Sequence, residues 1–247
     1  MKKLNANSNI LYVRASLRPL STQIKVAGDI VKYLKTKIEF EEIIAPHFYG
    51  ARPFWRKRIN PNLKKTTSGA LGKRIRAMKG STISTHPSHT FVGLGPRVSE
   101  VLLMHDENSQ SFAPLQTLSD QSDFSMLVIG CLDESPGFST VHATQENLGL
   151  ARKHLERFIL RWDFLKQNKT KTKVAPESTG CSLGFGKFYK LYEEDKNLIT
   201  GDWDGVKWIF IQSAKKALKV ESEALEKNPK FGNCDKFICS TCSFQLY

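Results

Sequence analysis

Four short apolar runs punctuate the chain: Ile10-Leu-Tyr-Val13, Ile43-Ile44 closed by Pro46, Met126-Leu-Val-Ile129 and Trp208-Ile-Phe-Ile211. Each is far shorter than the ~20 residues that cross a bilayer, so they read as buried strands rather than membrane spans. Helical periodicity separates them. Val26, Ile30, Val31 and Leu34 fall at i, i+4, i+5 and i+8, and a short helix is expected near Leu71–Met78. Leu148, Ala151, Leu155, Phe158, Ile159 and Trp162 recur every three to four residues and predict a long amphipathic helix. Ala214, Leu218 and Leu225 mark the inward face of a late helix. Strands alternating with helices predict an α/β chain, and 247 residues without an internal repeat fit one domain spanning 1–247. The lysine-rich stretch Lys166–Lys173 holds no core residue and reads as an exposed connection.

Charge is distributed unevenly. The net charge of +13 lies wholly in residues 1–100, which carry +14, whereas residues 101–247 carry −1. Between Ile43 and Ser99 no acidic residue occurs, against eleven lysines and arginines. Within that segment a basic loop insertion is expected at about 50–80, rich in Gly and Pro. It is either a solvated loop or a surface facing an anion. Phe48, Tyr49, Phe54 and Trp55 could stack on bases, but no finger, basic-zipper or RNP pattern accompanies them, so nucleic acid is the weaker partner. An anionic small molecule is the stronger one. Asn5, Asn7, Ser8 and Asn9 follow Lys2 and Lys3 where an export signal needs an apolar segment, so a cytoplasmic location is expected.

Histidines are the candidate chemical groups. His86-Pro-Ser-His89-Thr90 precedes a bend at Gly93-Leu-Gly-Pro96-Arg97, and His142 follows the turn-rich Asp133–Gly137. Imidazole exchanges a proton near neutral pH, as transfer to an amine or hydroxyl nucleophile requires. His86-x-x-His89 lacks a third ligand at a recognisable interval and is a weak metal motif.

Ser84-Thr-His-Pro-Ser-His-Thr-Phe-Val-Gly-Leu-Gly-Pro-Arg97, followed by His105 and Phe112-Ala-Pro-Leu115, resembles the central signature of the aminoglycoside 3-N-acetyltransferase (antibiotic N-acetyltransferase) family. Val13-Arg-Ala-Ser-Leu17 is similar to its first strand and turn, and Asp133 with Ser139-Thr-Val-His142 to its later segment. The resemblance runs from about residue 10 to 165. It implies that family's single-domain α/β fold, a mixed central sheet with flanking helices, and acetyl transfer from acetyl-coenzyme A to an amino group of an amino sugar. In this reading His142 is the general base, Asp133 or Gln145 orients its ring, and His86 and His89 are second choices. Ser16, Leu17, Thr90 and Arg97 line the coenzyme channel.

This sequence departs from the pattern at four places. Arg14 replaces the family's first histidine, Ile83 an arginine, and Gln145 the carboxylate of H-x-x-E, with Glu146 one place later, while Pro136 and Gly137 lengthen the aspartate-to-threonine interval. One place on a helix is a ~100° rotation, so Glu146 is not an automatic substitute. The basic segment is a poor host for a polycationic antibiotic. It suits coenzyme A phosphates and an acceptor in glycan or amino-sugar biosynthesis, possessing negative charge. The competing function is a non-catalytic protein on the same scaffold that binds a polyanion, either nucleic acid or an anionic glycan.

Five cysteines occur, at 131, 181, 234, 239 and 242. Cys131 ends an apolar strand, as buried thiols often do. In the expected compartment disulfides are disfavoured, and Cys234-x4-Cys239-x2-Cys242 has a zinc-chelating step, with Cys181 available as a fourth thiolate. Structural zinc would pin the C-terminal tail, about 231–247, to the body. The alternative is a tail of reduced thiols.

Overall fold

The computed structural model describes residues 3–4, 8–49, 52–53, 66, 68–121, 123–150, 160–166, 169–174, 181–236, 239 and 242. Its first element, β1 (Ile10–Ala15), continues into α1 (Ser21–Ala27), α2 (Ile30–Lys37) and β2 (Glu42–Pro46). β3 (Arg52–Pro53), α3 (Ala70–Arg76), β4 (Thr82–Ile83), β5 (Phe91–Leu94), α4 (Pro96–Met104), α5 (Ala113–Asp120) and β6 (Phe124–Ile129) follow. The second half comprises α6 (Thr140–Asn147), β7 (Leu160–Lys166), β8 (Lys169–Val174), a 3-10 turn (Phe185–Lys187), α7 (Phe188–Glu194), β9 (Leu198–Trp203), β10 (Val206–Ile211) and α8 (Ala214–Lys227).

Seven strands form a mixed sheet in the order β4-β5-β2-β1-β6-β10-β9. The three central strands β2, β1 and β6 are parallel, and the flanking pairs are antiparallel. Both faces are covered, which is why the central strands are apolar at successive positions. Ile10, Tyr12, Met126, Val128, Ile209 and Ile211 face one core cluster, packed by α4 to α8. Leu11, Val13, Leu127, Ile129, Trp208 and Phe210 face the other, packed by α1, α2 and α3. Each fully buried aliphatic or aromatic side chain contributes roughly 1.5–3 kcal/mol through area removed from water. The chain is thus α/β with a mixed central sheet between helical layers. β3, β7 and β8 form a separate three-stranded sheet.

Several expectations need correction. The helical pattern from Val26 to Leu34 belongs to two helices: α1 ends at Gly28, and Asp29 starts α2 by accepting from the Lys32 amide at 2.8 Å. Val26 is consequently solvent-facing, 86% exposed. The long helix reaching Trp162 is not formed as read, because α6 stops at Asn147 and Trp162 lies in β7; residues 151–159 lie outside the described residues. Lys166–Lys173 is no simple connection but the end of β7 and most of β8, paired from Arg161↔Val174 to Lys166↔Lys169. A hairpin ladder satisfies the backbone of the paired residues. Much of the basic insertion, with Phe54 and Trp55, lies outside the described residues; the helix expected near Leu71–Met78 is α3.

Candidate active site

Because β1, β2 and β6 are parallel, their carboxyl ends meet at one edge of the sheet, where open α/β folds place ligands. Arg14, Ala15 and Ser16 come from the end of β1, Pro46 and Phe48 from β2, and Cys131 from just beyond β6. β5 is antiparallel, so His89, two residues before it, arrives at the same edge. Together with Phe112, Ser135, Ser139, His142, Ser182 and Phe185 they line a cleft of about 500 Å³. Such a volume accommodates a small-molecule ligand or cofactor arm.

His142 is the third residue of α6, buried at 8% exposure. Its ring stacks on Phe112, centroids 5.0 Å apart, and meets the edge of Phe185 at 4.6 Å. Its Nδ1 stands 3.2 Å from Oε1 of Gln145, one helical turn along. An amide oxygen only accepts, so the tautomer that suits this contact carries its proton on Nδ1 and leaves Nε2 as the basic nitrogen. Asp133 is solvent-exposed in the preceding turn, and the partner seen at the ring is Gln145. Glu146 turns elsewhere: its carboxylate accepts from the Ser111 and Phe112 amides at 3.2 and 3.0 Å, and burial pushes its pKa up to about 7.

The other histidines differ from a general base. His86 Nδ1 accepts from the amides of Ser88 and His89 at 3.3 and 3.0 Å, which fixes the turn. Its ring stacks on His105, 4.7 Å away, and does not line the cleft. His89 does line it. Burial, then the neighbouring His105, lowers the His89 pKa to about 4, making it a weak base. His105 is also lowered to about 4 by burial and bridges Ser84 Oγ and the Gln110 carbonyl.

Of the residues expected at the coenzyme, Ser16 lines the cleft. Leu17 packs on the helical layer formed by α1 to α3, and Thr90 is buried with its hydroxyl unpartnered among the described residues. Arg97 requires correction. It pairs with Glu42 at 2.9 Å and Asp123 at 2.9 Å, residues at the amino ends of β2 and β6, so it serves the opposite edge of the sheet.

Sequence reasoning missed Phe185, whose signal was an aromatic between Gly184 and Gly186, and the role of Arg14. Arg14 donates to the carbonyls of Gly137 at 2.9 Å and Ser135 at 2.8 Å, and to Ser135 Oγ, strapping the turn that leads into α6. Gly137 has φ +74°, and a Cβ there would overlap Phe185. Among the described lining residues Arg14 is the one permanently charged side chain, and none of them carries a carboxylate.

The sulfurs of Cys181, Cys234, Cys239 and Cys242 all lie within 4.8 Å of one another. The structure therefore brings Cys181, offered as a fourth thiolate, to the three tail cysteines that spacing had singled out, and none is in a disulfide. Among the described residues no helix is long and apolar enough to cross a membrane.

No protein-family model matches the chain, and no curated protein matches it in sequence. Solved structures do. The aminoglycoside acetyltransferase AAC(3)-IVa apoenzyme aligns with TM-score 0.70 at 14% identity, over 96% of this chain and 89% of that one. AAC-IIIb in binary complex with CoASH aligns with TM-score 0.64 at 16% identity, over 93% of each chain. The YokD protein from Bacillus subtilis aligns with TM-score 0.64 at 16% identity, over 89% of this chain and 92% of that one. The chain thus has the fold of the aminoglycoside 3-N-acetyltransferases, the family its histidine motif resembles.

Proposed function

We propose that this protein is an acetyl-coenzyme A dependent N-acetyltransferase acting on an amino sugar, in glycan or amino-sugar biosynthesis rather than antibiotic inactivation. Fold alone does not carry chemistry, so the reading rests on one site observation: a buried imidazole lining the cleft, its Nδ1 tied to Gln145. His142 takes a proton from the acceptor ammonium, which must be neutral to attack. The neutral amine nitrogen then bonds to the thioester carbonyl carbon; its surplus proton leaves to solvent, the C–S bond breaks, and the imidazolium gives the first proton to the departing thiolate, so that amide, free thiol and one released proton result.

The tetrahedral oxyanion needs fixed donors. Ser139 lines the cleft, and its Oγ is 2.8 Å from the hydroxyl of Tyr12, a residue buried in the middle of β1. When Tyr12 donates, the Ser139 proton is available to the cleft. Coenzyme A in AAC-IIIb supports the choice of acyl donor, and a pantetheine arm suits a cleft lined by both aromatic rings and serine hydroxyls.

The acceptor follows from charge. A polycationic antibiotic needs carboxylates, and the described lining offers Arg14 and none of these. An anionic amino sugar, such as a nucleotide-linked one, is the better complement. The test is thiol release from acetyl-coenzyme A across a panel of acceptors. Turnover with nucleotide amino sugars at least ~10-fold above kanamycin-type acceptors supports it. Comparable turnover with both overturns the choice of acceptor, and no turnover with salt-sensitive polyanion binding favours the non-catalytic alternative.

A structural zinc ion held by Cys181, Cys234, Cys239 and Cys242 is the second part of the reading. Tetrahedral zinc at Zn–S distances of about 2.3 Å spaces sulfurs about 3.8 Å apart, and this cluster falls within 4.8 Å. Four thiolates leave no open position, so the ion would be structural rather than catalytic.

A further inference from the structure

The cysteine cluster and the cleft share a segment of chain. Cys181 is followed directly by Ser182, which lines the cleft, and Phe185, whose ring rests against His142 at 4.6 Å, stands four residues after the cysteine. The other three sulfurs come from the tail after α8. The tail also grips that segment by contacts independent of the cysteines. Phe231 meets Phe188 edge-on at 4.9 Å, and Lys187 donates to the Asn233 carbonyl at 2.8 Å and pairs with Asp235 at 2.6 Å. The chain passes so close to Gly184 that a Cβ there would overlap the Asn233 carbonyl. Phe185 itself is fully buried, between Gly137 and the imidazole.

We infer that the four-cysteine zinc centre is a positioning element of the acyl-transfer cleft: by fastening the tail to Cys181 it holds Ser182 and Phe185 in place and so fixes the orientation of His142. The inference rests on both parts of the reading above. Its physical basis is that a metal cross-link between Cys181 and the tail removes configurational freedom from the short segment between the ion and Phe185. Side-chain contacts alone hold that segment once the ion is gone. Phe185 is a positioning residue, since it acts through His142.

The test uses the full-length protein, purified under reducing conditions. Zinc content is measured together with hydrogen exchange of peptides covering residues 182–188, before chelation, after chelation, and after zinc is restored. One zinc per chain is expected. Its removal should speed exchange over 182–188 at least ~10-fold while β1 and β6 amides stay protected, and zinc should reverse the change. Cys181→Ser and Cys239→Ala should reproduce the chelated state. If Cys181→Ser fails to fold, chelation of the wild type still decides. Failure to bind zinc, uptake of iron with visible thiolate absorption, or zinc binding that leaves exchange at 182–188 unchanged would each overturn the inference. Acetyl transfer is assayed in parallel, with kcat expected to fall ~10-fold on chelation and the KM for the acceptor to change less. Absence of transfer in both forms defeats the acyltransferase reading, while the zinc and exchange results still judge the clasp.

Discussion

Gln145 presents its Oε1 to Nδ1 of His142 at 3.2 Å, one turn further along the same helix. A carboxylate at this position would stabilise the imidazolium more strongly than an amide does. Gln145→Glu should therefore give a stronger base: a plateau rate ~10-fold higher at alkaline pH, with the acidic limb of the profile displaced to higher pH. Gln145→Ala should lose ~10-fold by releasing the ring. A pH–rate profile of the three forms checks both. Identical profiles would remove Gln145 from the mechanism.

Phe112 touches both imidazoles of the cleft, with centroids 5.0 Å from His89 and 5.0 Å from His142. The two are separable by chemistry, because His89 is held neutral with a pKa of about 4. His142→Ala should lower kcat by at least ~10², with coenzyme affinity by calorimetry nearly unchanged. His89→Ala should leave most of kcat. The reverse ranking would move the base to His89.

Arg97 provides a control at the opposite edge of the sheet. Its partner Glu42 is only 5% exposed and also accepts from the Val98 amide at 2.9 Å. Arg97→Ala should cost about 2 kcal/mol in denaturant unfolding, since it leaves a buried carboxylate without its cation. Coenzyme affinity should not change. A weakened coenzyme complex in a fully stable variant would return Arg97 to the coenzyme channel.

Glu221 fastens α6 to α8. It is fully buried and accepts from Thr140 and Tyr192 at 2.6 Å and Thr144 at 2.8 Å, with burial pushing its pKa up to about 7. The folded state thus holds this proton more tightly than the unfolded chain. The contribution is fully present below about pH 4.5 and is lost as pH rises to about 7, staying flat above. The loss is of order 3 kcal/mol at most. Glu146, also near 7, acts in the same window. Wild-type stability should fall between pH 5 and 7.5, and Glu221→Gln should flatten part of that slope in pH-dependent unfolding. An unchanged slope would contradict the assignment.

The apolar strands were legible because burial on both sheet faces writes itself as unbroken hydrophobic runs, as in Met126–Ile129. The antiparallel additions were harder. β9 carries Thr200, Gly201 and Asp202, and β8 alternates Lys with Thr, so backbone pairing rather than apolar burial defines them. Within the site, His142 stood out by its motif. Phe185 did not, since it reaches the imidazole from more than forty residues away through a tertiary contact. The cysteines were legible as a set through their spacing, although only the fold brings Cys181 to the tail. Arg97 misled because a basic residue in a motif looks alike whether it meets a phosphate or, as here, Glu42 and Asp123.

The most direct measurement is continuous thiol release from acetyl-coenzyme A by wild type and His142→Ala, with nucleotide-linked amino sugars as acceptors and mass spectrometry of the product. The expected result is an N-acetylated sugar formed by the wild type at a rate at least ~10² above the variant, both proteins binding the coenzyme alike. Equal rates in the two proteins, or no acetylated product from any amine in the panel, would contradict acyl transfer at this cleft.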